Sequence, residues 1–342
     1  MQGINRDPVS KWLAANIDGA EPPFGFSLIA GGHSNLTFAV TGADGRRFVL
    51  RRPPLGHVLA SAHDMGREHR IIAALRDTPV PVAPALGYCD DAEVNGAPFY
   101  VMGYVDEIVV RDQAAVDRLS LGARCHASES IADTLAATHA VDPDAVGLGD
   151  LGRKEGYIER QLKRWYGQWN QSKTRELPDI DNVYEHLRTH IPEQGRATIV
   201  HGDYRLDNTM VNESGDVVAV LDWEICTLGD PMADIGLLQV YWTGPHDEVA
   251  GLGAAPMTVN EGFLDRAEVL ARYAAKSERN VSGVEFFTAF AYWKLACIVE
   301  GVYARYLNGA MGAGAEPATY DPFRIQVERT AHAAAERCTA IG

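Results

Sequence analysis

Two acidic segments, each at the end of a short apolar stretch, constrain this chain of 342 residues more than any other feature. Residues 199–208 read IVHGDYRLDN, and residues 218–224 read VAVLDWE. In both segments an aspartate, Asp203 or Asp222, follows residues typical of a strand, so we expect its carboxylate at the rim of a sheet. Asn208 comes five residues after Asp203, and Asp222 comes nineteen residues after it.

These residue types suit phosphoryl transfer. That reaction needs a carboxylate that orients and deprotonates an acceptor hydroxyl, and it needs oxygen ligands for magnesium. His201, Asp203, Asn208 and Asp222 follow one another in the order found in protein kinases. Arg205 stands where many of those kinases carry a lysine that reaches the transferred phosphate. The alternative for Asp203 and Asn208 is a turn and a cap, because aspartate-rich turns are common.

The predicted secondary structure changes near residue 105. Before it, glycine-rich turns separate strand-like runs at residues 26–30, 36–40, 46–51, 86–89 and 98–104, with one helix over 62–76 and a turn at 93–96. After it come helical patterns at residues 114–140, 156–171, 181–190, 260–276, 284–307 and 321–340, with strand-like islands at 198–200, 209–211 and 217–221. We therefore predict an α+β fold with a small antiparallel β-rich lobe, residues 1–104, and a larger, mostly helical lobe, residues 105–342.

Composition narrows the class of protein. Aspartate and glutamate outnumber lysine and arginine by 46 to 31, which disfavours a main role in binding nucleic acid or anionic lipid. Five widely spaced cysteines, without a Cys-x-x-Cys pair, indicate reduced thiols. The most apolar segment, residues 286–304, is interrupted by Lys294 and Glu300 and predicts a buried helix. We expect a cytoplasmic protein with no membrane or nucleic-acid partner, and the oligomeric state stays open.

Longer motifs give the chain a resemblance to a known family. They are residues 201–208, 221–224, 229–234 (GDPMAD), 31–37 (GGHSNLT) and 48–54 (FVLRRPP). On these motifs, over roughly residues 26–307, the chain resembles the aminoglycoside phosphotransferase and choline-kinase branch of the protein-kinase-like fold. Within that branch it is most similar to the kinase-like domains associated with acyl-CoA dehydrogenases.

The resemblance implies roles for the two acidic segments. Asp203 is expected to be the catalytic base, and Asn208 and Asp222 are expected to hold Mg²⁺. Arg205 would offset the charge of the transferred phosphate. We expect Asp230 and Asp234 to brace the loop that carries Asp203 and to cap the next helix.

The resemblance also implies a nucleotide site in the first lobe. Gly31, Gly32, Ser34 and Asn35 would form a loop over the phosphates, since glycine lets backbone N–H groups approach phosphate oxygens. An ordinary hairpin turn is the alternative. Residues 99–105 would form the crossing between the lobes.

In that crossing, Met102 and Tyr104 would line the adenine pocket. The two side chains could equally belong to the core. The sequence leaves both interpretations open.

Arg51 ends the third strand, where a kinase would place its phosphate-pairing lysine. Arginine keeps the positive charge but has a different geometry. Glu68 is the expected partner, because it shares a helix face with the apolar Ile72 and Leu75. A solvated glutamate at the helix edge is the alternative.

The resemblance therefore implies a phosphotransferase that uses ATP and Mg²⁺ to phosphorylate a hydroxyl of a small molecule. The acceptor would be a hydroxyacyl-CoA or related hydroxy acid, or an aminoglycoside. One alternative is a catalytically weak, nucleotide-binding pseudokinase with a regulatory role, which Arg51 keeps open. A metal-dependent hydrolase is a third. Protein substrates are disfavoured, because Trp223 and Glu224 follow Asp222 where protein kinases have a DFG motif and an activation segment.

Overall fold

A computed structural model describes residues 2–30, 35–55, 63–245, 247, 256–309 and 317–341. The fold is α+β, as predicted. The chain divides into two compact units. The first comprises Met1–Glu107, Val146–Leu148 and Val218–Ile225, and the second comprises Ile108–Ala145, Gly149–Val217 and Cys226–Gly342.

In the described part of the first unit, five strands form one antiparallel sheet of order β1-β2-β3-β5-β4. They are β1 (Gly25–Ala30), β2 (Leu36–Thr41), β3 (Arg47–Arg52), β4 (Ala85–Cys89) and β5 (Phe99–Gly103). Each lies within one residue of its predicted ends, because alternating apolar positions such as Phe38, Val40, Phe48 and Leu50 are buried along it.

Three helices accompany this sheet among the described residues: α1 (Arg6–Asn16), α2 (Met65–Leu75) and α3 (Ala92–Asn95). The sequence patterns did not indicate α1, whose Val9 and Leu13 are fully buried in the core under the sheet. The turn predicted at residues 93–96 is instead the single-turn helix α3. Asp91 caps it and Gly96, at φ 74°, ends it.

Helix α2 begins later than the sequence pattern predicted. The side chain of Asp64 accepts a hydrogen bond from the backbone N–H of Arg67, which caps the helix just before Met65. The predicted start at residue 62 lies outside the described residues. The predicted inward face is confirmed, since Glu68, Ile72 and Leu75 are all buried.

The second unit is mainly helical. Its described helices are α4 (Gln113–Asp117), α5 (Leu121–Ala140), α6 (Tyr157–Ser172), α7 (Pro178–Thr189), α8 (Met232–Tyr241), α9 (Arg266–Ser277), α10 (Val284–Leu307) and α11 (Pro317–Cys338). The described strands are β6 (Thr198–Val200), β7 (Thr209–Val211), β8 (Val217–Val220) and β9 (Thr227–Gly229). The last three residues of β8 belong to the first unit, and β9 pairs antiparallel with β6.

Four helices predicted in this unit differ from the structure by three or more residues, and capping explains two of them. Helices α7 and α11 begin three and four residues before their predicted starts at residues 181 and 321. The pattern at residues 114–140 is broken before α5, where the hydroxyl of Ser120 accepts from the backbone N–H of Ala123. The pattern at residues 260–276 becomes helical only at α9, where Asp265 and Glu268 form a reciprocal capping box.

Helix α10 has its predicted bounds and forms the core of the second unit. It packs against α6, α7, α8 and α11, and its apolar side chains are buried on several faces. Lys294 and Glu300 are buried with them. No helix in the described part of the chain is both long enough and apolar enough to cross a membrane.

Candidate functional site

The loop that carries Asp203 follows β6 and is fixed from its buried side. Asp234, on α8, accepts hydrogen bonds of 2.7 Å from the backbone N–H groups of both His201 and Gly202. Gly202 has φ 86°, a left-handed conformation that favours glycine. The predicted brace by Asp234 is therefore confirmed.

A second layer of buried polar groups holds Asp234. Nε2 of His139 lies 3.2 Å from the Asp234 carboxylate, and its Nδ1 lies 2.8 Å from the hydroxyl of Tyr273. This arrangement fits a neutral ring that donates to Asp234 and accepts from Tyr273. Burial lowers the pKa of His139. Burial also opposes the charge of Asp234, but the combined effects of His139, His201 and the backbone N–H of Gly202 outweigh it, so the pKa of Asp234 is lowered.

On the loop itself, the structure brings Asp203, Arg205 and Asn208 together. Nδ2 of Asn208 donates to both the backbone carbonyl and the carboxylate of Asp203, each at 2.8 Å. Nε of Arg205 lies 3.4 Å from Asp203 Oδ1, and its Nη1 lies 3.2 Å from Asp207. The guanidinium also lies over the ring of Tyr241, at 4.9 Å from its centroid. The Asp203 carboxylate is thus held in one orientation.

In the first unit, the structure groups Arg51 with three acidic side chains. Its guanidinium lies 3.2 Å from Glu68, 2.6 Å from Asp222 and 3.8 Å from Glu224. The predicted contact between Arg51 and Glu68 is present. Burial opposes the charge of Arg51, but Tyr100, Glu68 and Asp222 together raise its pKa.

Glu68 is buried and serves as a hub for polar contacts. Its carboxylate accepts hydrogen bonds of 2.9 Å from the amide of Asn35 and from the hydroxyl of Tyr100. Asn35 also donates to Glu224 at 3.1 Å. Burial raises the pKa of Glu68, against the opposing effect of Arg51. Asn35, Arg51, Glu68 and Asp222 are therefore parts of one connected network.

Asp222 has an unusual backbone conformation. Its φ of 61° lies in the left-handed region, which residues other than glycine rarely adopt. Aspartate tolerates this region better than most residues, because its short polar side chain can bond locally. Such conformations are concentrated at functional sites, where the surrounding structure imposes them.

The donor set around Asp222 fits a hard divalent cation. Carboxylate oxygens of Glu68, Asp222 and Glu224 lie within 4.8 Å of one another. Oxygen ligands of this kind are those that Mg²⁺ prefers. In the structure the positive charge among them comes from Arg51.

Of the other residues predicted to bind the nucleotide, the structure describes only some. Gly31, Gly32 and Ser34 lie outside the described residues. Met102 is half-buried on β5, opposite Val49 and Ala85. Tyr104 is half-buried and lies under the guanidinium of Arg47, at 4.1 Å. The choice between an adenine pocket and core packing stays open for both side chains.

Several side chains in these networks were not assigned to the site from the sequence. Tyr100 and His139 join it through partners far away in the chain, so no local pattern marks them. Glu224 lies in the motif of residues 221–224, but that motif assigned it no role in the site. Lys294 did have a signal, because it is a charge inside the apolar run of α10. It also lies beside the loop of Asp203, with Nζ 3.4 Å from the carbonyl oxygen of Gly202.

Comparison with known proteins decides the family. The sequence profile of the phosphotransferase enzyme family (APH) matches residues 25–275. The chain belongs to this family. Family membership supports phosphotransfer to a small molecule and confirms the resemblance predicted from the motifs.

A curated relative is similar over most of this chain. The chain is 35% identical over 281 residues to mouse acyl-CoA dehydrogenase family member 10, covering 81% of this chain and 26% of that protein. It spans well under half the length of the curated relatives it matches.

Solved structures confirm the protein-kinase-like fold. A crystal structure from Ralstonia eutropha, named as a candidate aminoglycoside phosphotransferase, is 31% identical, has a TM-score of 0.82 and covers 98% of both chains. Choline kinase from Cryptosporidium parvum has a TM-score of 0.65 at 12% identity, covering 97% of this chain and 95% of its own. At that identity the second similarity shows the fold alone.

Proposed function

We propose that this chain is a phosphotransferase that uses ATP and Mg²⁺ to transfer the γ-phosphate to a hydroxyl of a small molecule. The observation that carries the proposal is the fixed carboxylate of Asp203, held by Asn208 and Arg205 on a loop that Asp234 braces. A cytoplasmic location is part of the proposal.

Asp203 would act on the acceptor. Its carboxylate would accept a hydrogen bond from the acceptor hydroxyl, orient the oxygen towards the phosphate and take up the proton as transfer proceeds. Because Asn208 already restrains one carboxylate oxygen, little reorganisation is needed during the reaction. Arg205 would offset the negative charge that develops on the transferred group.

The nucleotide would be bound by residues from several segments. Arg51, anchored by Glu68, would contact phosphate oxygens, which a guanidinium can bind through two parallel hydrogen bonds. Gly31, Gly32, Ser34 and Asn35 would cover the phosphates, and Met102 and Tyr104 would lie near the adenine. Asn208 and Asp222 would hold Mg²⁺, which when bound neutralises charge on the phosphates.

Two acceptor classes follow from the comparisons. The name of the mouse relative supports a hydroxyacyl thioester or a related hydroxy acid. The name of the Ralstonia eutropha structure supports an aminoglycoside.

A nucleotide-binding pseudokinase with a regulatory role is the second candidate function. The contact of 2.6 Å between Arg51 and Asp222 favours it, because the guanidinium occupies an oxygen that the catalytic proposal assigns to Mg²⁺. The complete set of Asp203, Asn208 and Asp222 favours the enzyme instead.

A screen for ADP formation separates these candidates. Hydroxy acids, hydroxyacyl-CoAs and aminoglycosides would be offered with ATP, with and without Mg²⁺, to the wild-type protein, to Asp222→Ala and to the exposed control Asp77→Ala. We expect Mg²⁺-dependent ADP formation in the wild type and the control, and its loss in Asp222→Ala. ATP binding without ADP formation above the Asp222→Ala level would favour the pseudokinase and contradict the proposal.

A further inference from the structure

Lys294 places a buried ammonium group beside the loop that carries Asp203. The residue is 9% exposed. Among the described residues its Nζ has one hydrogen bond, of 3.4 Å, to the carbonyl oxygen of Gly202, and it lies 5.8 Å from the centroid of the Trp165 ring. An ammonium group has three donors, so most of its hydrogen-bonding capacity is unused by these contacts.

No carboxylate forms an ion pair with Lys294 within 4.0 Å, as far as the described residues show. Glu300, the other charge buried on α10, differs in this respect, because it accepts hydrogen bonds from Thr174 and pairs with Arg175 at 2.9 Å. A charge removed from water without a close partner is costly to the folded state. Burial lowers the pKa of Lys294, with Asp203 and Asp234 opposing that effect.

Other cations lie near the same loop. Arg205 contacts both Asp203 and Asp207. The charge of Arg164 adds to the effect of burial in lowering the pKa of Lys294. The acids among these groups are already paired or hydrogen-bonded, whereas the ammonium of Lys294 forms no ion pair with any residue that the structure describes. An acceptor that carries several ammonium groups would meet like charge there, and an acceptor that carries an anion would supply the missing partner.

We infer that Lys294 is a specificity-determining residue whose ammonium group binds a carboxylate of the acceptor. The inference rests on the proposed function and narrows its substrate class to hydroxy acids over polycationic acceptors. Because Lys294 already contacts the carbonyl of Gly202, the residue before Asp203, the carboxylate and the reacting hydroxyl would belong to one compact molecule. A short-chain hydroxy acid meets that requirement.

The test compares charged and neutral forms of one acceptor. ADP formation would be measured with 3-hydroxybutyrate, with its methyl ester and with hygromycin B as a cationic acceptor. The proteins would be the wild type, Lys294→Met, Lys294→Arg and the control Lys276→Met, whose lysine is half-exposed and pairs with Asp133. Methionine preserves the length of the apolar stem of Lys294 but removes the charge.

We expect the wild type to favour the acid over the ester by about tenfold or more in kcat/KM, the size of one charge-assisted hydrogen bond. Lys294→Met should bring that ratio close to one, mainly through a higher KM for the acid, with the KM for MgATP unchanged. Lys294→Arg should retain part of the preference, and Lys276→Met all of it. An unchanged ratio in folded Lys294→Met, or a wild-type preference for the ester or hygromycin B, would overturn the inference.

Direct binding separates this inference from the proposed function. If none of the compounds yields ADP, the proposed function fails for them, and calorimetry with 3-hydroxybutyrate decides the inference. Binding by the wild type and Lys294→Arg, but not by Lys294→Met, would uphold it. Absence of binding by the wild type would refute it. Equal binding of the acid and its methyl ester by the wild type would also refute it, and this can be measured even if Lys294→Met fails to fold.

Discussion

Arg51 lies near the end of β3, where the family resemblance predicts a phosphate-pairing lysine. Its guanidinium reaches both Glu68 and Asp222, which lie far apart in the sequence. The contact with Glu68 could be predicted, because the period of α2 places that glutamate on the buried face. The contact with Asp222 could not, because it depends on a distant segment reaching Arg51.

Removing the charge of Arg51 should weaken nucleotide binding. We expect Arg51→Met, combined with Glu68→Gln so that no unpaired charge stays buried, to raise the Kd for MgATP by about 10- to 100-fold, in line with the loss of a charge-assisted hydrogen bond. Arg51→Lys should stay within about tenfold of the wild type. Calorimetric titration with MgATP measures both, with Glu68→Gln alone as the control. Equal affinities in all variants would remove Arg51 from the nucleotide site.

Among the helices, those with a long buried apolar run were predicted correctly, and those whose start depends on a cap were not. Helix α10 was predicted with its observed bounds because its long apolar run leaves no competing interpretation. Helix α1 was missed, and the break before α5 depends on the single cap at Ser120. The motif around Asp203 could be predicted from the spacing of its residues. Its support by His139 and Tyr273 could not, because these residues belong to α5 and α9 and meet only in the folded chain.

The support by His139 predicts a pH-dependent stability. Burial lowers the pKa of His139, so the folded state keeps the ring neutral while the unfolded ring takes up a proton below about pH 6.5. The stabilisation is therefore complete above about pH 6.5 and is lost as pH falls below it, with a slope of at most ~1.4 kcal/mol per pH unit. Urea unfolding of the wild type and His139→Gln between pH 5 and 8 should show a smaller slope in the variant. Identical slopes would contradict this account.

Two helix glycines should respond oppositely to substitution by alanine. A Cβ on Gly236, in α8, would clash with the backbone oxygen of Phe287 in α10, so we expect Gly236→Ala to destabilise the protein by about 1–3 kcal/mol. A Cβ on Gly167, in α6, would meet no described atom within 4 Å, so Gly167→Ala should stabilise the protein by about 0.5–1 kcal/mol. Denaturant midpoints of both variants check the signs. Tolerance of alanine at residue 236 would mean that α8 and α10 pack less closely.

For the molecule as a whole, net charge and local charge point to different acceptors. The surplus of fifteen acidic residues would attract a polycation over long distances. Salt screens such attraction over about 8 Å under physiological conditions, whereas Lys294 and Arg205 lie next to the loop of Asp203. Composition therefore indicates the class of protein but not its substrate, and under our proposal the charges around Asp203 select the acceptor.

Turnover of Asp203→Asn tests the central claim most directly. Asparagine preserves the size of the side chain but cannot accept the proton of the acceptor hydroxyl. We predict that MgATP binds to Asp203→Asn with nearly wild-type affinity while phosphate transfer slows by about 10²- to 10⁴-fold, and that the exposed control Asp77→Asn matches the wild type. Transfer by Asp203→Asn at the wild-type rate would contradict the account.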